Sequence, residues 1–504
     1  MPGGTLVSNQ SRSVVSSAVA DGTAPRQIAR SVLAKSGLVA DVEQFHGWVA
    51  AQRSTMEVRQ IPLDSLQGWR TDPDTGNLAH HSGKFYTVEG LDVRVGGAPV
   101  EHWQQPIVNQ PEVGILGILV KKFDGVLHLL AQAKIEPGNR NGIQLSPTVQ
   151  ATRSNYTRVH QGLPVPYLDY FRDTSRHRVL ADVRQSEQGA WFHRKRNRNM
   201  IVEVDEDVEA VDSFCWLTLG QVHELLALDD LVNMDARTVL SCMPFAGADL
   251  LPAFGPDLVG FTSSLIRSYD IGAEALHSMG EVLGWITDVR TRHDVVAERM
   301  PLAQVADWHR DEHRISHRTG LFFDVIGVGV TAAGREVRSW SQPMIRPTDD
   351  GVVAFLAKQV DGVLHLLAHA RAEPGYVDVI ELAPTVQCNP SNYAALPAHA
   401  RPHYLDEVLS AGPDRIRFDA VHSEEGGRFF HARNRYAVIE VDPGFAPDPP
   451  TGDYRWLTLA QLVELLRHSN YVNVQARSLV ACLHGLSGRS DTTRGTAWPT
   501  PSRP

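Results

Sequence analysis

The chain has 504 residues, of which 42% are hydrophobic and 21% charged, and a net charge of −10. That composition fits a globular protein with more than one hydrophobic core, and the acidic balance argues against a general nucleic-acid binder, which needs a basic face. No apolar run is long enough to cross a bilayer. Four cysteines cannot frame so long a chain with disulfides. The opening MPGGTLVSNQSRSVVSS lacks the basic and apolar regions of a secretory leader, so a cytoplasmic protein with reduced cysteines is expected.

Residues 1–28, rich in Ser, Gly and Ala without periodicity, are expected to lack order. Beyond them an internal repeat governs the chain. The run Asp124-Gly-Val-Leu-His-Leu-Leu-Ala131 returns at Asp361 to Ala368, a spacing of 237 (361 − 124). The same spacing carries Trp103 onto Trp340, Pro147-Thr-Val-Gln150 onto Pro384-Thr-Val-Gln387, and Asn155-Tyr156 onto Asn392-Tyr393. Two modules are expected, 30–245 and 270–484, joined by a linker at 246–269 and followed by a disordered tail at 487–504. In module one, Val113 to Lys122 and Val126 to Glu136 read as a hairpin with Asp124-Gly125 at its turn. The counterpart turns at Asp361-Gly362. Thr218 to Gln221 and Thr458 to Gln461 are capping boxes that open helices over 221–228 and 461–468. Asn233 and Asn473 are of the N-capping type. A further helix is predicted over 271–292, matching the opening of module one. Each module is therefore α+β, an antiparallel or mixed sheet flanked by helices.

Alternation along the second hairpin strand puts His128, Gln132, Lys134 and Glu136 on one face, with Leu130 among them. His365, His369, Arg371 and Glu373 repeat the row. It reads either as a preorganised site on a rigid strand or as a solvated face with a surface ion pair. The stretch from Gln150 to Asn155 and Tyr156, with its repeat Gln387, Asn392 and Tyr393, supplies amides for a pyrimidine or sugar and a phenol for proton transfer; it could equally cap its own loop. Arg196, Arg198, Arg433 and Arg435 match a diphosphate's geometry. Trp103 and Trp340 could stack on a base or anchor packing. His80 and His317, and the buried-type Cys242 and Cys482, read as structural. The chain contains no Walker loop, G-x-G-x-x-G, G-x-S-x-G, H-E-x-x-H or zinc spacing, so neither metal nor redox cofactor is called for.

These blocks together, W-x-Q-P, DGVLHLLA, E-P-G at Glu136 and Glu373, P-T-V-Q, S-N-Y at Ser154 and Ser391, R-x-N-R at Arg196 and Arg433, and W-L-T-L at Trp216 and Trp456, resemble the NDP-hexose 2,3-dehydratase family of deoxysugar biosynthesis. The resemblance implies two tandem Nudix-like α/β/α sandwiches, a homodimer, and a dTDP-4-keto-6-deoxyglucose substrate dehydrated across C2–C3 without a cofactor. The metal-binding R-E-x-x-E-E box of a true Nudix hydrolase is missing after both Glu136 and Glu373. Combining strand geometry with the resemblance, the expected catalytic groups are Glu136, Tyr156 and Lys134. His128, Gln132, Gln150, Asn155, Trp103, Arg196 and Arg198 are expected to bind substrate. Arg371, Glu373, Gln387, Asn392, Tyr393, Arg433 and Arg435 form an equivalent second site, with module one favoured for chemistry because Lys134 can lose a proton where Arg371 cannot. A metal-dependent nucleotide-sugar hydrolase and a non-catalytic nucleotide-sugar binder are the competing classes.

Overall fold

The computed structural model describes residues 23–52, 56–152, 164–247, 250–255, 258–332, 338–446 and 449–487. The predicted hairpin is present in both repeats, as Gly114–Phe123 with Val126–Ile135 and as Gly351–Val360 with Val363–Ala372. Asp124 (φ 50°) and Gly125 (φ 75°) make the turn, as do Asp361 and Gly362; two successive left-handed residues match the strands' twist, which is why Asp-Gly recurs there. Around the first hairpin a seven-stranded sheet runs in the order Arg178–Ser186, Arg196–Val204, Gly114–Phe123, Val126–Ile135 and Phe214–Thr218. Val149–Ala151 and Ile143–Ser146 add to its hairpin strands. Only the Arg196–Val204 to Gly114–Phe123 pairing is parallel among these, so the sheet is mixed. The second repeat builds the same sheet around Gly351–Val360 and Val363–Ala372.

Both faces of these sheets are covered. Leu127, Leu129 and Ala131 face a helical core, while Leu130 packs on the opposite side with Leu119, Met200 and Trp216. The leucine in the polar row therefore belongs to a second core, and only the strand's far end is left for polar groups. The two repeats share the helical core, in which the helices Met234–Leu240 and Val474–Leu486 pack together. Arg237 and Arg477, both fully buried, brace that contact. Arg237 donates to the Ser423 carbonyl (2.8 Å), and Arg477 donates to that of Ser186.

Each repeat also forms a five-stranded antiparallel sheet, and here the modules exchange a strand. Met56–Ile61 pairs with Phe323–Ala332 of the second repeat, and Val295–Met300 pairs with Thr87–Val95 of the first. The repeats are thus interlocked by backbone hydrogen bonds.

The structure moves several expected boundaries. A helix spans Thr23–Leu33, overlapping the end of the stretch expected to lack order, and its repeat Gly260–Arg267 lies in the expected linker. In both, a serine just beyond the shared part seals the helix to the hairpin: Ser31 donates to Leu127 O (2.5 Å) and Ser268 to Leu364 O (2.6 Å). The helix predicted over 271–292 starts only at Met279, where Ser278 and Glu281 form a capping box. The capping boxes at Thr218 and Thr458 and the N-caps at Asn233 and Asn473 form as predicted, but each box opens its helix directly after the threonine, at Leu219 and Leu459.

Candidate active site

Glu136 follows the last residue of the strand Val126–Ile135, on the same face as Lys134. The Lys134 ammonium lies 3.6 Å from a Glu136 carboxylate oxygen. Gln150, from the neighbouring edge strand, donates to that oxygen at 2.9 Å, and Asn233 donates to the Gln150 carbonyl at 3.3 Å. Asn233 thus caps its helix with one amide atom and orients Gln150 with the other. The second repeat holds the same chain: Arg371 and Gln387 donate to Glu373 (3.0 and 2.9 Å), and Asn473 to Gln387 (2.8 Å).

After each glutamate, Pro-Gly carries the chain into the other repeat. Gly138 donates to Gly426 O (2.7 Å) and accepts from His431 N–H (2.9 Å); Gly375 donates to Gly189 O (2.7 Å) and accepts from Arg194 N–H (2.7 Å). A Cβ on Gly138 would sit 1.7 Å from Phe429 O, and one on Gly375 would sit 1.8 Å from Phe192 O. No other residue fits so close a backbone crossing. Both sites are therefore composite, with one wall from each module.

The walls differ. Facing Glu136 is the second-repeat loop Glu424 to Arg428. Glu425 accepts from Gly427 N–H (2.9 Å) and Arg428 N–H (2.8 Å), and the Arg428 side chain reaches Gln110 (3.1 Å) and lies over Tyr86 (4.2 Å). Burial, and next the Glu136 charge, push the Glu425 carboxyl up to about 7. Burial and then Glu187, Glu136 and Glu425 hold the Asp235 carboxyl well above its ordinary range. Burial lowers the Lys195 ammonium. The wall facing Glu373 keeps a carboxylate, Glu187, at the Glu424 position, but Gln188 stands at the Glu425 position, Trp191 at that of Arg428, and Trp191 packs on Phe323, the partner of Tyr86. There Tyr376 joins the amide chain through Asn473 (3.2 Å), and His369 stacks on Tyr454 (4.3 Å), its imidazole pushed down to about 3 by burial.

Of the residues singled out from sequence, the structure gathers Lys134, Glu136 and Gln150 in one site, and Arg371, Glu373 and Gln387 in the other. Tyr393 lies by Arg371, whose charge partly offsets the effect of burial on the phenol. Gln132 is half-buried on the same face. Asn155 and Tyr156 lie outside the described residues. His128, Trp103, Arg198, Arg435, Arg433 and Asn392 are corrected. His128 is buried at the opposite end of the strand, bonded to Val126 O (2.9 Å). Trp103 donates to Gln105 (2.9 Å), which clamps Ala190 O (2.8 Å), so it anchors a loop. Arg198 and Arg435 are each held bidentately, by Asp182 and Asp419, because these carboxylates lie diagonally across the strand pair on the same face. Arg433 bonds Asp230 (3.1 Å) and Asp350 (2.8 Å). Asn392 caps Phe322 N–H (2.9 Å). Arg196 is half-buried and has no carboxylate partner among the described residues. Sequence reading missed Asp235, Glu425 and Arg428. Asp235 had a signal, lying two residues after a recognised N-cap; the other two come from a loop that only the folded crossing brings near.

A carboxylate, a cation and an amide held together at a strand end, built twice in one chain, form a duplicated candidate site. The sequence profile of the NDP-hexose 2,3-dehydratase family matches residues 42–243 and 279–483. The chain belongs to that family. It is 51% identical over 467 residues to a dTDP-4-dehydro-6-deoxy-alpha-D-glucopyranose 2,3-dehydratase of Saccharopolyspora spinosa, covering 92% of this chain and 95% of the relative. Proteins of the same name from Amycolatopsis orientalis (48% identical; 92% and 94% covered) and Streptomyces violaceoruber (47% identical; 89% and 98% covered) are similar.

Proposed function

We propose that this chain dehydrates dTDP-4-keto-6-deoxyglucose across C2 and C3 at the Glu136 site, yielding a 3,4-diketo-2,6-dideoxy sugar nucleotide for deoxysugar biosynthesis. The observation that carries the reading is the Lys134–Glu136–Gln150 cluster on a rigid strand end, in a chain with near full-length likeness to three enzymes of that name. The C4 ketone acidifies the C3 proton, and Glu136 removes it. Lys134 stabilises the enolate oxygen, since a preorganised cation where charge develops is the strongest single aid to such a step. Gln150, fixed by Asn233, keeps the Glu136 carboxylate in place. Positioned proton transfer contributes about 10²–10⁴-fold. Arg196 is the candidate contact for the diphosphate, in contrast to Arg433, which Asp230 and Asp350 hold.

The Nudix-like reading of each module is supported by its mixed sheet with both faces covered. A homodimer in the cytoplasm is the expected setting, and light scattering on the pure protein checks the dimer. For the competing metal-dependent hydrolase, no group of three or more His, Cys, Asp or Glu poised to hold a metal occurs among the described residues. The deciding experiment incubates the enzyme with dTDP-4-keto-6-deoxyglucose in D₂O with EDTA and traps the diketone by reduction. Absence of a 2-deoxy product labelled at C2 overturns the proposal. Nucleoside monophosphate released only with Mg²⁺ supports the hydrolase instead.

A further inference from the structure

We propose that Glu425, carried by the second repeat, is the general acid that protonates the departing C2 hydroxyl at the Glu136 site of the first repeat. This rests on the dehydratase reading and adds the group it lacks, since elimination needs an acid as well as a base.

The loop crossing supplies the geometry. Gly138 is bonded to Gly426 at 2.7 Å. A Cβ on Gly426 would lie 3.0 Å from Glu136 Cβ, and one on Gly427 would lie 3.7 Å from Glu136 Oε1. The loop that begins at Glu425 therefore lies against Glu136. The Glu425 carboxylate is fixed in direction by two backbone N–H groups, one on each oxygen, and each oxygen keeps a lone pair for a proton. Among the described residues it has no salt bridge. The nearest guanidinium, Arg428, is turned to Gln110 and to Gly427 O (2.8 Å). Two carboxyls held together in a partly desolvated site favour sharing one proton, and the raised titration of Glu425 agrees with an acid poised near neutrality.

The repeat provides an internal comparison. Glu136, Gln150 and Asn233 recur as Glu373, Gln387 and Asn473, so the base and its support stand at both sites. Glu425 becomes Gln188, and an amide cannot deliver an acid proton. The Glu373 site retains the carboxylate without the acid. Gln188 also donates to Glu424 (2.8 Å), which ties it into the framework.

The proton balance closes within the pair. Glu136 takes the proton from C3. As the C4 enolate collapses back to the ketone, the C2=C3 bond forms, the C2–O bond breaks, and Glu425 gives its proton to the hydroxyl, which departs as water. The C3 enol then returns its hydroxyl proton to Glu425 while Glu136, whose proton has exchanged with solvent, protonates C2. Both carboxyls end as they began.

The test separates acid from base. Wild type, Glu425→Gln, Glu425→Asp and Glu136→Gln are incubated with dTDP-4-keto-6-deoxyglucose in D₂O; 2-deoxy product and deuterium at C3 of recovered substrate are measured. Glu425→Gln is expected to lose about 10²–10³-fold in product formation while C3 exchange continues, which also proves that the variant is folded and binds substrate. Glu136→Gln should lose both activities, and Glu425→Asp should recover part of the elimination. Elimination by Glu425→Gln within about threefold of wild type overturns the proposal, as does loss of exchange together with elimination. Wild type forming no 2-deoxy product refutes the dehydratase reading instead.

Discussion

Replacing Gly138 by Ala, with Gly375→Ala as its twin, tests at once whether the loop crossing builds the sites and which site does the chemistry. At Gly138 the added methyl would meet Phe429 O at 1.7 Å, and at Gly375 it would meet Phe192 O at 1.8 Å. Ordinary carbon–oxygen contact is about 3.3 Å, so one loop must retreat by roughly 1.5 Å. Overpacking of that kind costs about 1–3 kcal/mol, and each variant also strains two backbone hydrogen bonds worth about 1 kcal/mol apiece. The total is ~3–5 kcal/mol. At roughly 2 cal/mol/K per residue, a chain of 504 residues loses about 1 °C per kcal/mol, so Tm should fall by ~3–5 °C in both variants. Activity should divide them. A misplacement near 1 Å costs about 10²-fold in rate, so Gly138→Ala should lose that much kcat, whereas Gly375→Ala keeps kcat within a few-fold. Calorimetry and steady-state assay of the 2-deoxy product measure the two effects. Equal loss of kcat in both variants refutes a single catalytic site, and a Gly138→Ala variant of wild-type stability refutes the close crossing itself.

Other perturbations follow from the same geometry. Trp340 donates to Gln342 (3.0 Å), which clamps Gly427 O (2.6 Å); Trp340→Phe should lower kcat about fivefold, one hydrogen bond's worth, while Trp103→Phe, acting on the other loop, leaves kcat unchanged. Arg198→Ala should alter stability by no more than about 1 kcal/mol and leave KM within twofold, because its partner is Asp182; a tenfold rise in KM would restore it as a diphosphate contact. Glu381 is buried, accepts from Ser186 (2.5 Å), and is pushed up to about 7, first by burial. A carboxyl raised in the folded state contributes stability below its ordinary titration range that is lost as pH rises through about 7. Glu381→Gln, which copies Gln144 and its bond to Ser423 (2.6 Å), should flatten the fall in Tm between about pH 5 and 8 and raise stability at pH 8 by on the order of 1–3 kcal/mol.

Local physics made the repeat, the hairpin and its Asp-Gly turn, the capping boxes, and the shared face of Lys134 and Glu136 readable in the sequence. Each depends on residues within one turn or one strand, where periodicity and backbone preference speak directly. His128 failed because alternation gives the face but not the depth. Leu130 between it and Gln132 belongs to a second core, so the row is cut in two. Arg198 and Arg435 failed because their carboxylate partners sit across a strand pair whose register the sequence does not declare. The helix at Thr23–Leu33 was hidden by a composition poor in large apolar residues; it is held by packing of Ile28, Ala29 and Val32 and by Ser31, and its repeat uses Leu265, Ile266 and Ser268.

The strand exchange and the loop crossing explain why the two repeats could diverge without separating. A module whose sheet is completed by its twin, and whose glutamate is walled by its twin, constrains both copies to persist even where only one performs chemistry. Substitutions at the crossing points, Gly189 against Gly375 and Gly426 against Gly138, act on the site of the other repeat. The divergence at Glu425 and Gln188 therefore falls on opposite modules from the sites it distinguishes. Deleting either module should destroy both sites, since neither five-stranded sheet nor either glutamate wall is complete within one repeat. Expression of residues 250–487 alone, assayed for folding by calorimetry, checks this. A cooperative transition in that fragment, with Val295–Met300 stably placed, would refute the interdependence.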